Sequence, residues 1–80
     1  MDEPTISDAD LDTFQSFYKA CVERWIAAIR DEEALASVRH SAAELDRWEE
    51  AHQKQNALRD AVLEAKKEYE DALRMKLFNF

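Results

Sequence analysis

The sequence predicts an all-α protein, a long antiparallel helical hairpin that pairs into a four-helix bundle. Three observations carry this expectation. The 80 residues include no glycine, which removes tight strand-hairpin turns, Gly-rich phosphate loops and nucleophile elbows from the possible repertoire. Ala (13), Glu (10), Leu (7), Arg (6) and Lys (5) make up 41 of the 80 residues, the composition of long helices and coiled coils. Apolar residues recur in alternating steps of three and four over two long stretches, with firm punctuation only near residue 40. A chain of 9.3 kDa is expected to form one domain, 1–80, near the lower size limit for a self-sufficient core.

Residues 1–6 read as a short leader containing the only proline, Pro4. Ser7 followed by Asp10 has the spacing of a capping box, and Ile6 and Leu11 stand where a hydrophobic staple would place them. Asp8, Asp10 and Asp12 complement the positive end of a helix dipole, so the first helix is expected to start near residue 8. Its apolar row runs Leu11, Phe14, Tyr18, Cys21, Val22, Trp25, Ala28 and Ile29, with Phe17 and Ile26 on opposite flanks. At 100° per residue this stripe spans about 180°, wider than one neighbouring helix covers. Two or more neighbours are therefore expected.

The end of this helix has two readings. Arg30-Asp31-Glu32-Glu33 suits a restart, giving a helix over 8–30 followed by a short one over 32–39, with a kink near Asp31. The same residues also allow one helix to continue to about 39 through Leu35 and Val38. The main turn is expected at Arg39–Ser41, because Ser41-Ala42-Ala43-Glu44 is a regular capping box. No breaker interrupts 42–77, a predicted rod of about 54 Å at ~1.5 Å per residue. Its seam is Trp48, Ala51, Gln55, Leu58, Val62, Ala65, Tyr69 and Ala72, with alanines that allow close approach. Glu50/Lys54 and Glu70/Arg74 are spaced as favourable i,i+4 pairs. The segment 78–80 forms an apolar tail with Phe78 and Phe80, next to Leu77.

Charge narrows the functional classes. Eighteen acids against eleven bases give a net charge of −7, which disfavours nucleic acid and anionic membrane as partners. Cys21 is the only cysteine, so no intramolecular disulfide is expected and the thiol reads as a small buried hydrophobe. No stretch approaches the ~20 apolar residues of a membrane span, and the acidic first residues do not resemble a signal peptide, so the expected setting is the cytoplasm.

Candidate chemistry is sparse. Glu49 and His52 form an E-x-x-H pair of the kind used in carboxylate-bridged metal bundles. A hairpin turning near residue 40 sets Glu32 level with Glu49, so two copies would gather Glu32, Glu49 and His52 from each chain. Helical geometry opposes this metal site, because Glu49 lies about 140° from the seam centre. The plainer reading is a solvated ion-pair face. His40 and Glu44 form another spaced pair beside the turn, and Ser41 reads as a cap without a base to activate it. Neither catalytic residues nor a cofactor is expected, and the chain is not read as an enzyme.

The aromatic helix face points instead to an acidic protein–protein interaction module. It would associate with itself as a homodimer or bind a partner helix, as adaptors, small chaperones and inhibitors do. Expected interface residues are Phe14, Phe17, Tyr18, Trp25, Ile26 and Ile29 on the first helix, and Trp48, Tyr69, Leu77, Phe78 and Phe80 on the second or its tail. Gln55, a polar residue in an apolar seam, is expected to fix register or oligomer number. The remaining alternatives are the metal site above and an acidic inhibitor that imitates nucleic acid in the groove of a basic enzyme.

Overall fold

The computed structural model describes residues 6–36 and 41–78. They form two helices packed against each other as an antiparallel hairpin: α1, Asp8–Ala34, and α2, Ala42–Phe78. No strand is present among the described residues.

Both helix starts follow the sequence rules. The Ser7 side chain accepts from the Asp10 amide at 3.0 Å, and the Ser7 amide donates to Asp10 Oδ2 at 3.1 Å. This reciprocal pair satisfies two groups that the first turn leaves without helical partners. The bond from the Ser7 amide, and secondarily that from its side chain, holds the Asp10 carboxyl below the usual carboxylate range. Ser41 and Glu44 repeat the arrangement at the start of α2, at 3.2 and 3.3 Å.

The first helix departs from the expected boundary at residue 30. It runs unbroken through Asp31 to Ala34, with Leu35 as C-cap, its amide bonded to the Glu32 carbonyl at 3.1 Å. A separate helix beginning at residue 32 is therefore not formed, nor does α1 continue to 39. Its last turn carries no base, so Asp31, Glu32 and Glu33 face the negative end of the dipole at some cost. Continuing the helix nevertheless places Glu32 on the seam, where its carboxylate gains partners from α2. The expected turn at Arg39–Ser41 lies largely outside the described residues, as do Val38, His40 and Phe80.

Register follows from a few level pairs. Asp8 lies by Lys76 at 3.5 Å, Cys21 clusters with Val62, and Glu32 meets His52 at 2.8 Å. Level residues thus have numbers summing to about 84, which sets Cys21, midway along α1, at the height of Leu63.

The line of closest approach is made of small side chains. The buried hydrophobics among the described residues are Cys21, Ala28, Val62, Ala65 and Ala72, with Ala65 only 2% exposed. Tyr18, Val22 and Trp25 pack beside them, and the Tyr18 and Tyr69 rings stand 6.4 Å apart. No large side chain among the described residues is fully buried. The reason is geometric: one neighbouring helix covers a narrow strip, while the apolar stripe of α1 is about twice as wide. The hairpin measures 64 × 16 × 15 Å, with a radius of gyration of 18.2 Å. A compact chain of this length would have about 12 Å.

Candidate functional site

Two features stand out, a polar chain across the seam and an open apolar side beside it. The polar chain joins five residues. Trp25 Nε1–H donates to Gln55 Oε1 at 2.8 Å, and Gln55 Nε2 donates to Glu32 Oε2 at 3.3 Å. Glu32 Oε1 meets His52 Nδ1 at 2.8 Å, and Asn56 Nδ2 stands 3.2 Å from His52 Nε2. A carboxylate only accepts and an amide nitrogen only donates, so both histidine bonds are satisfied by the tautomer with hydrogen on Nδ1. Every donor in the chain then points toward Glu32. Glu32 is the less exposed of the two, 19% against 48% for His52. Sequence reasoning marked Trp25 and Gln55 separately and missed that they are partners. It missed Asn56 altogether, although i+4 from His52 is the position to inspect.

The three residues named as metal candidates line one depression but differ in their partners. Glu32 and His52 do come together, whereas Glu49 accepts from Gln53 at 3.3 Å. Both ring nitrogens of His52 are engaged, and among the described residues no group of three ligating side chains has metal-site geometry.

Seen along the hairpin, antiparallel packing brings like flanks of the two helices to the same side. One side carries Val22, Ile26 and Ile29 from α1 with Leu45, His52 and Leu63 from α2. Of these, Leu45 and Leu63 are more than half exposed, Leu63 at 55%. The expected interface list omitted both, because they flank the seam of α2 instead of lying on it. A shallow depression lined by Glu32, Leu45, Trp48, Glu49 and His52 joins the polar chain to this side. The same flank of α2 also bears Arg59, Lys66 and Glu70, and the opposite side sets Arg24, Asp31 and Lys54 around Ala27, Ala28 and Leu58. Phe17 flanks that opposite side, half exposed. Among the other expected interface residues, Phe14, Tyr18, Trp25, Trp48 and Tyr69 are half-buried in or beside the seam. Leu77 and Phe78, at the end of α2, are largely exposed.

Surface charges on α2 are organised as ladders. Lys66 bonds to Glu70, Glu70 also lies 3.5 Å from Arg74, and Lys67 reaches Asp71 at 3.2 Å. Hydrogen bonding and attraction between Lys66 and Glu70 raise the lysine pKa and lower that of the glutamate. Glu70/Arg74 is thus formed as its spacing suggests, whereas Glu50 and Lys54 make no ion pair in the described structure. No helix among the described residues is long and apolar enough to cross a membrane. In comparisons with known proteins, no family model, curated sequence or solved structure matches this chain.

Proposed function

We propose that this chain is a helical protein–protein interaction module that buries its open apolar side against further helices. A homodimeric four-helix bundle is the arrangement favoured. The observation that carries the reading is the surface left uncovered. The chain exposes 6379 Å², against about 5,000 Å² for a compact monomer of 9.3 kDa. The excess, about 1,400 Å² per chain, corresponds to about 2,800 Å² for two, within the range of obligate homodimers. The absence of a fully buried large side chain among the described residues supports the same conclusion, since a hairpin alone gains little from its aromatic residues.

The alternating charges of α2 leave it without the unbroken acidic face that a nucleic-acid mimic needs, so the interaction module is preferred over that inhibitor. The reading is tested by melting the protein over a hundredfold range of concentration. A dimer gains stability with concentration by mass action, so the melting temperature should rise. Ile26→Asp, which sets a charge on the apolar side, should abolish that rise. A wild-type melting temperature independent of concentration would contradict self-association.

A further inference from the structure

The second copy's orientation is written in α1, given the self-association proposed above. Asp12, Lys19, Glu23 and Arg30 lie on α1 at spacings of 7, 4 and 7, within about 40° of one another at 100° per residue. The strip borders the flank of Val22 and Ile26, as flanking charges border a coiled-coil seam. All four side chains are exposed, and none makes an ion pair within the described structure.

Their signs alternate and reverse about Cys21. Asp12 and Arg30 are each nine residues from it, and Lys19 and Glu23 each two. Such a strip complements itself only when a second copy runs the opposite way. Helix handedness gives the same requirement: an antiparallel neighbour brings this flank against its own counterpart, whereas a parallel one brings opposite flanks together. A two-fold axis along the hairpin would also set each charge level with its own copy.

We propose that two hairpins associate antiparallel about a two-fold axis at the level of Cys21 and Leu63. Asp12 then faces Arg30 of the partner subunit, and Lys19 faces Glu23 of the partner subunit. The half-exposed Leu63 lies beside its own copy at the centre of the α2 side. Net charge agrees with this arrangement. The turn-side half, residues 22–36 and 41–62, holds nine acids and five bases, and the other described half, 6–20 and 64–78, holds seven and five. Antiparallel association sets the more acidic half beside the less acidic one.

Cross-linking and charge reversal test the orientation. In a Cys21→Ala background, Leu63→Cys should form a covalent dimer on mild oxidation, whereas Leu77→Cys, far from the axis, should not. With Cys21 intact, Glu23→Lys should raise the dimer dissociation constant about tenfold through two symmetry-related repulsions. Adding Lys19→Glu should restore it to within about threefold of wild type, because the reversed pairs regain opposite signs. If the dimer persists while Leu77→Cys links as readily as Leu63→Cys, or Leu63→Cys does not link, the orientation is overturned and the interaction module stands. Failure of charge reversal to rescue the dimer likewise overturns the pairing. A monomeric wild-type protein overturns self-association itself, and this inference with it.

Discussion

Gln55→Ala removes the link that joins Trp25 to Glu32 across the seam. It deletes two hydrogen bonds, at 2.8 and 3.3 Å, and leaves an indole N–H and a carboxylate oxygen to find water. At about 1 kcal/mol net for each bond, the loss is about 2 kcal/mol. Alanine recovers a few tenths through higher helix propensity, leaving about 1.5 kcal/mol. For a chain of this size that corresponds to a melting temperature lower by about 6–12 °C. The assay is thermal unfolding followed by circular dichroism at fixed protein concentration. Gln53→Ala serves as comparator, since its one bond, to Glu49, lies on the exposed surface, and a change within about 0.5 kcal/mol is expected. A double-mutant cycle with Trp25→Phe should show coupling of about 1 kcal/mol. The reasoning is refuted if Gln55→Ala melts within about 2 °C of wild type. Register would then be set by apolar packing alone.

Other expectations are open to the same measurements. Ser41→Ala removes the cap of α2 and should cost about 1 kcal/mol, seen as a lower urea midpoint with unchanged slope. Ala65→Leu forces a large side chain into the closest approach of the helices and should destabilise by about 1–3 kcal/mol, whereas the same change at exposed Ala57 should be nearly neutral. Asp10 and Glu70 have lowered pKa values in the folded state, so their stabilisation is present at neutral pH and is lost as the pH falls below about 4. Lys66, with a raised pKa, loses its contribution only as the pH climbs above about 10.5. Asp10→Asn should therefore reduce the acid dependence of the melting temperature, and an unchanged profile would contradict the role of the cap.

Much of the fold is legible in the sequence because periodicity and capping are local properties. Ser7/Asp10 and Ser41/Glu44 mark the helix starts, and the seam from Trp48 to Ala72 is the row that packs on α1. The end of α1 is not legible in the same way. Asp31-Glu32-Glu33 suits a helix start by its charges, and only the tertiary partners of Glu32 explain why the helix runs through it. The polar chain shares this property. Trp25, Glu32 and Gln55 become neighbours once the register is known, and the register depends on side chains from both helices. The charge strip of α1 shows the converse. Its spacing is present in the sequence, but only the hairpin reveals that it borders an uncovered apolar flank.

The most direct measurement is the solution mass by light scattering on a size-exclusion column. The account predicts 18.6 kDa, twice the 9.3 kDa of one chain, with full helicity. A mass of 9.3 kDa at every concentration, together with the same helicity and a cooperative melt, would contradict it. The hairpin would then be stable with its apolar side open to water.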